Sequence, residues 1–451
     1  MKNNRKSGIH HSPYDVIIVG AGVTGTALSY VLAKYSSVQR VLLIEKNASA
    51  AQVNSHGCNN SQTLHVGDIE TNYSLEKARA VKKGAEMILS YASDLPQNER
   101  NAFLFPVQKM ILAVGKSEVA ELEKRYTEFK DTFPDLKKLS RAGIAAVEPA
   151  VMRDRNPAEP VLALMADGYA VNFGKLAGSL LKDAEASAGK KLEIKFNTKV
   201  ESVRKDESGQ YVVTTNGGMF KSKTLVVAAG SHSLLYAKML GCGKNFSIIP
   251  VAGNFYYTPK VLRGKVYTMQ SKKLPFSAVH GDPDVVVPGK TRFGPTAKFF
   301  PVLERGKYDT FFEYIRSAGL DLASHRSFLT ILSDVDILVY LVKNILYDIP
   351  WIGKKLYLKS AQKIVPSLTA QDLTFAKGVG GMRMQIVDKT KRALVQGEGQ
   401  IIGQKSIFNL TPSPGASVCI ANAHRDAQLL VSFLGDGFRF DGDRFRKDFI
   451  D

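Results

Sequence analysis

Residues 14–46 read YDVIIVGAGVTGTALSYVLAKYSSVQRVLLIEK. An apolar run of strand length enters Gly20-Ala21-Gly22-Val23-Thr24-Gly25, an amphipathic helix follows, and a second apolar run ends in Glu45. Strand, glycine turn, helix and strand in that order make a βαβ unit that binds a dinucleotide. Gly20 makes the tight turn, Gly22 lets the backbone approach a pyrophosphate, and Gly25 lets helix pack on strand. The helix N-terminus then presents unsatisfied N–H groups to phosphates. Glu45 lies 20 residues beyond Gly25, where an acid accepts from ribose hydroxyls and disfavours a 2′-phosphate. That argues against NADP and leaves NAD and FAD open.

Two later stretches bear on the choice. Residues 191–233 read as strands with turns at Ser208-Gly209 and Asn216-Gly217, then a buried strand ending in Ala228-Ala229-Gly230. Ala229 and Gly230 are small enough for close contact with a nucleotide, and Val200 joins them as a cofactor contact. Near the C-terminus, Ser413-Pro414-Gly415-Ala416-Ser417 precedes an apolar helix of about 17 residues, a second N-terminus whose partial positive charge can meet a ligand. A flavin needs such a second site.

The chain's 451 residues are enough for two cores. Cys58, Cys242 and Cys419 are far apart and in no metal-ligand spacing, so neither a disulfide framework nor a metal site is expected, and a reducing, cytoplasmic compartment is. The polarity of MKNNRKSGIHHS predicts a disordered tail over residues 1–13. No secretory signal is visible, and no apolar run reaches the roughly 20 residues of a membrane span, which points to a soluble or peripheral protein. The formal charge of +19 calls for an anionic partner: nucleic acid, a membrane surface or a small acid. Scattered lysines and the lack of an aromatic-basic RNA motif argue against nucleic acid, including an RNA-binding flavoprotein.

YDVIIVGAGVTG, TLVVAAGSHS, GGMRMQ (380–385) and the terminal SPGAS loop, in this order, resemble the FAD-dependent oxidoreductases related to D-amino-acid oxidase. Within that superfamily the chain resembles the malate:quinone oxidoreductase family over nearly its whole length. The similarity rests on NNSQTLH followed by ETNYS (59–74), VNFGKL (171–176), HGD and RFGPTA (280–297) and IVPSL (364–368). The resemblance implies an α/β fold: a Rossmann-type FAD-binding domain with an inserted α+β substrate domain on a mostly antiparallel sheet. It also implies oxidation of (S)-malate to oxaloacetate, hydride transfer to flavin N5, a membrane quinone as acceptor, and a peripheral position on the inner face of the cytoplasmic membrane. NNSQTLH replaces the commoner NNAGTGH and shares an asparagine-serine followed by histidine with L-2-hydroxyglutarate dehydrogenases, which leaves that acid, or an amino acid, as the alternative substrate.

With a flavin in the first unit, the polar stretch SHGCNNSQTLHVGDIETNY (55–73) runs toward the isoalloxazine ring. Asn59, Asn60, Ser61 and Gln62 would hydrogen-bond its edge, and His65 would reach its reactive face. A base must take the hydroxyl proton, and imidazole titrates near neutrality. Of eight histidines, His10 and His11 lie in the tail, His56 and His325 in polar surroundings, and His232 and His424 beside the nucleotide strands. His65 and His280 remain, one as base and one as substrate hydrogen-bond partner, in either order. The carboxylates need cationic clamps, for which arginine's planar fork suits. Arg383, in GGMRMQ, resembles the superfamily's carboxylate-binding arginine; Arg292 is a second candidate, and Lys109, a strand lysine among hydrophobics, a third.

The order of segments predicts a discontinuous FAD domain (14–100, 145–245, 370–451) and a substrate domain (101–144, 246–369). FLFPVQKMILAV (103–114), IIPVAGNFYYT (248–258), KVYTMQ (265–270) and DVVVPG (284–289) read as strands of the second domain's sheet, and KSEVAELEKRYTEFKDTF as helix. In DVDILVYLVKNILYDIPWIGKKLYLK (334–359) the apolar residues from Ile337 to Ile349 cover roughly 200° of a helix, leaving Asp336, Tyr340, Lys343, Asn344 and Tyr347 on the remaining stripe. With Trp351, Lys354, Lys355 and Lys359 beside it, this is the pattern of a helix lying on an anionic membrane surface, although a core helix would share the apolar face.

Overall fold

The computed structural model describes residues 12–187, 191–270, 278–319, 321–347, 352–395, 399–410 and 414–451. The expected tail, apart from its last residues, Ser413, and the stretch 348–351 with Trp351 lie outside them.

The strand Tyr14–Val19 sits in the middle of an eight-stranded sheet, parallel to Arg40–Ile44 on one side and Gly218–Val227 on the other. Lys191–Lys195 extends it beyond Arg40–Ile44, and Ser406–Leu410 lies parallel to Gly218–Val227 at the far side. Strands flanked on both sides in this way carry continuous apolar runs, as VIIV and VLLI do. The helix Val23–Tyr35 is buried almost all round, packed between Phe173–Ala186 and Cys419–Leu434 on one face of the sheet. The antiparallel strands Val200–Lys205 and Tyr211–Thr215 extend the sheet from Gly218–Val227, and a second core fills its other face.

A second eight-stranded sheet is mostly antiparallel and runs in the order 374–375, 256–259, 290–294, 280–283, 265–268, 104–114, 161–171, 137–139. The fold class is therefore the mixed α/β arrangement that the sequence implies. Its segments divide differently at three places. Val161–Val171, expected within the nucleotide unit, pairs along its full length with Leu104–Val114 in the second sheet. The stretch 248–258 splits: Phe246–Ala252 joins Met382–Asp388 in a separate four-stranded antiparallel sheet, whereas Tyr256–Pro259 belongs to the large one. DVVVPG is no strand, because the Asp284 carboxylate accepts from the N–H groups of Val286 (2.7 Å) and Val287 (3.0 Å) and curls the chain into a turn.

The segment 334–359 forms the helices Val335–Leu346 and Ile352–Gln362. The first is inside out. Asn344 is only 2% exposed, and Ile337 and Tyr340 pack against Val251 and Ala297, while Leu338, Val339, Val342, Ile345 and Leu346 all face outward. Of the stripe that reads as polar, Tyr340, Asn344 and Tyr347 face the protein together with Ile337, whereas Asp336 and Lys343 are exposed. Asn344 explains how: its Oδ1 accepts from Ala297 N at 2.6 Å and its Nδ2 donates to Tyr340 O at 2.8 Å, so the buried amide is satisfied. Among the described residues no helix is long and apolar enough to cross a membrane.

Candidate active site

A single cleft runs from the glycine turn to the second helix N-terminus. Gly20 (φ +103°) lies so close to Ala228 that a Cβ would stand 2.5 Å from its carbonyl oxygen; at Gly25 a Cβ would stand 1.9 Å from Gly20 O. Gly20 and Gly22 line the cleft, and Gly25 packs behind the turn. Glu45 lines it too, fixed by the N–H groups of Ala21 and Asn47, each at 2.9 Å. Val200, Ala229 and Gly230 border the same space, as do Gly415, Ala416 and Ser417 before the helix Cys419–Leu434.

The polar stretch folds chiefly on itself. Asn59 Nδ2 donates to Val53 O (2.8 Å), and Asn60 Nδ2 to His56 O (2.9 Å) and Asn54 O (3.1 Å). These donors are spent on the loop, although Asn59, Asn60 and Ser61 do line the cleft. Gln62 does not. It is fully buried at φ +51°, donating to Gly57 O and Asp284 Oδ1 (each 3.0 Å) and accepting from Val285 N (3.1 Å), so its expected place at a ring edge is corrected to a strut between loop and second sheet. His65 faces the cleft with both ring nitrogens engaged: Nδ1 on Glu70 Oε1 at 2.6 Å and Nε2 on Ser61 Oγ at 3.3 Å. Burial alone would raise Glu70, but His65 pulls it down to about 2.

Behind the 61–63 stretch of the cleft wall, three short strands carry a buried polar cluster, no member of which lines the cleft itself. Alternation places Lys265 and Tyr267, His280 and Asp282, and Arg292 on one face of the second sheet, with Tyr267 opposite His280 and Asp282 opposite Arg292. His280 Nδ1 bonds Asp282 Oδ1, and its ring lies 4.7 Å from that of Tyr267. Arg292 Nε donates to Asp282 Oδ2 at 2.8 Å, with its guanidinium 4.8 Å from the Phe255 ring. Lys265 Nζ sits 3.3 Å from Asp282 Oδ2 and 3.1 Å from Ser61 O, and the Tyr267 hydroxyl lies 2.6 Å from Thr63 Oγ1. Burial, reinforced by Lys265 and Arg292 against the pull of Asp282, pushes His280 down to about 4, so its ring is neutral at pH 7. Burial also lowers Lys265, to about 8, against the pull of Asp282. Asp282, which burial would raise, is held well below the carboxylate range by Arg292, Lys265 and His280.

Among the described residues, His280 Nε2 and Arg292 Nη1 and Nη2 are buried without a hydrogen-bond partner. Such groups each cost about 1–3 kcal/mol unless something accepts from or donates to them. Arg383 reaches the cleft from the four-stranded sheet, near the Tyr267 and Tyr340 phenols and close enough to Arg292 for the two positive charges to act on each other. His280 and Arg292 share the buried cluster, with Arg292 near Arg383, and of the three only Arg383 lines the cleft. Lys109 is left out of the cleft: its ammonium is fully buried and 3.0 Å from both oxygens of Asp68, a closed internal ion pair. Asp282, Lys265 and Tyr267 are additions to the residues read from sequence. Their signal was the alternation in HGD and KVY, polar groups two apart in strands otherwise buried. Among the described residues no group of three or more His, Cys, Asp or Glu is placed to hold a metal ion.

The malate:quinone oxidoreductase family model matches residues 12–425. A probable malate:quinone oxidoreductase of Campylobacter jejuni is 43% identical across 97% of this chain and 99% of its own length. The malate:quinone oxidoreductase of Helicobacter pylori is 40% identical, across 96% and 97%. Among solved structures, dithionite-reduced L-α-glycerophosphate oxidase from Mycoplasma pneumoniae, with FAD bound, superposes with a TM-score of 0.65 at 20% identity, covering 94% of this chain and 95% of that one. Glycine oxidase from Geobacillus kaustophilus gives 0.64 at 19% identity, covering 93% and 95%. This chain shares their fold.

Proposed function

Because this chain belongs to the malate:quinone oxidoreductase family, we propose that it oxidises (S)-malate to oxaloacetate and passes the electrons through FAD to a membrane quinone. The residues present suit FAD: a glycine turn with no room for side chains, an acid at the end of the second strand, and a second helix N-terminus all border one cleft. When bound, FAD supplies the acceptor for the hydride that leaves the hydroxyl-bearing carbon. Family membership favours malate over L-2-hydroxyglutarate or an amino acid.

The observation that carries the reading is the buried set of unmet groups, Arg292 Nη1 and Nη2 and His280 Nε2, beside Arg383. Arg292 offers a carboxylate two parallel N–H groups while its Nε stays on Asp282, and Arg383 is suited to the second carboxylate. His280 is the better base of the two histidines. Its Nδ1–H is committed to Asp282, so the Nε2 lone pair is the one available to the substrate hydroxyl, and burial keeps the ring neutral. Asp282 fixes the ring's tautomer and steadies the imidazolium that forms. His65, its Nδ1 held by Glu70, is assigned as the substrate hydrogen-bond partner, its Nε2 exchanging the Ser61 hydroxyl for the acid.

The outward apolar face of Val335–Leu346 and the positive net charge support docking on an anionic bilayer, where a lipid-soluble quinone resides. The inner face of the cytoplasmic membrane is the surface we assign. Anaerobic mixing of the flavin-loaded protein with a panel of acids tests the substrate: (S)-malate should bleach the flavin fastest. Faster bleaching by L-2-hydroxyglutarate or an amino acid would overturn the reading.

A further inference from the structure

Val251 and Arg383 are cross-strand neighbours in the four-stranded sheet, so their side chains leave it on the same side. Helix Val335–Leu346 lies on that side, with Ile337 and Tyr340 packed against Val251 and Ala297, and Asn344 tied to Ala297. Burial pushes the Tyr340 phenol well above its ordinary range, and Arg383 is among the charges that act on it. On the helix's other face, Val335 is 69% exposed, Val339 60% and Ile345 58%. A single helix about 10–12 Å across thus stands between the arginine and the surface we assign to lipid.

We propose that this helix is a shared wall, so that docking on the bilayer and binding of a dicarboxylate strengthen each other, with Tyr340 the positioning residue that carries the effect to Arg383. The inference rests on the membrane and acid readings given under Proposed function. Among the described residues the helix is held by its inward residues and its neighbouring helices, and its exposed apolar face gains nothing in water from remaining in one place. Seating that face in lipid restrains the helix from outside, while an acid gripped by Arg383 restrains Tyr340 from inside. Whichever binds first bears the ordering entropy of the wall, and the second binds to a wall already ordered. Linkage makes the two gains equal.

The test uses flavin-loaded protein, vesicles of phosphatidylethanolamine with phosphatidylglycerol, and succinate, a dicarboxylate with no hydroxyl to oxidise. Vesicle co-sedimentation is measured with and without saturating succinate, and succinate affinity is read from the flavin spectrum with and without vesicles. Both affinities should rise by the same factor, about fivefold or more. Tyr340→Phe and Tyr340→Leu should keep vesicle attachment and lose most of that factor. Val339→Glu should abolish attachment and leave succinate affinity in solution unchanged. Vesicle binding that ignores succinate would overturn the coupling alone, and a full factor in both Tyr340 variants would overturn the residue's role. Absence of any vesicle binding would overturn the membrane reading and the coupling together.

Discussion

Arg292→Lys isolates the fork from the charge. In the native protein the guanidinium divides its work: Nε holds Asp282 at 2.8 Å, and Nη1 and Nη2 are left for a ligand. A lysine ammonium at the same position keeps the charge and can satisfy Asp282 or a carboxylate, not both in the same geometry. Asp282 also keeps Lys265 and His280, so the fold should tolerate the change. Each hydrogen bond to a charged group contributes about 1.5–3 kcal/mol. Loss of the bidentate pair, partly offset by the retained charge, therefore costs about 3 kcal/mol, or roughly 100-fold in kcat/KM for malate at 1.4 kcal/mol per decade. Steady-state assays with a water-soluble quinone measure it, and succinate titration of the flavin spectrum should show a parallel loss of affinity. A fall in kcat/KM smaller than about threefold would refute the placement of malate on Arg292.

The histidine order is tested by His280→Ala, which should slow flavin bleaching well over ~100-fold, against about tenfold for His65→Ala; the reverse ranking would exchange their roles. His280 also makes stability depend on pH. Folded, it stays neutral down to about pH 4, whereas in an unfolded chain it takes a proton near 6.5. Between those values the unfolded chain binds more protons, so stability present above pH 6.5 is lost as pH falls toward 4, by up to about 3 kcal/mol. Thermal melts across this window should be steeper for the wild type than for His280→Gln, and equal slopes would contradict the buried neutral ring. Asn344→Leu leaves Ala297 N–H without its acceptor and should destabilise by about 1–3 kcal/mol in chemical denaturation. An unchanged midpoint would mean that the inward polar stripe does not anchor its helix.

The nucleotide half was legible because its signals are local. Six residues of glycine turn, two apolar runs and a terminal acid declare one geometry whatever surrounds them. The acid chamber was legible only as residue types. His280 and Arg292 could be named, but Asp282, which organises both, is marked only by its two-residue spacing from His280, and strands of four or five residues leave too short an alternation to announce a buried face. Lys109 was misread for a different reason: its counter-charge, Asp68, lies 41 residues earlier in an irregular loop. The helix at 335–346 showed its two faces plainly in sequence. Which face turns inward depended on Ala297, an amide donor that only the tertiary structure brings to Asn344.

The loop at 57–65 is fastened to the second sheet at three successive residues: Ser61 through Lys265, Gln62 through Asp284 and Thr63 through Tyr267. Hinged, clamshell-like parting of loop and sheet would have to rupture all three links at once. Turnover in such a body favours small displacements of a side wall over swinging domains. A crosslink clamping the two large sheets together should consequently be far less harmful than one that immobilises the wall.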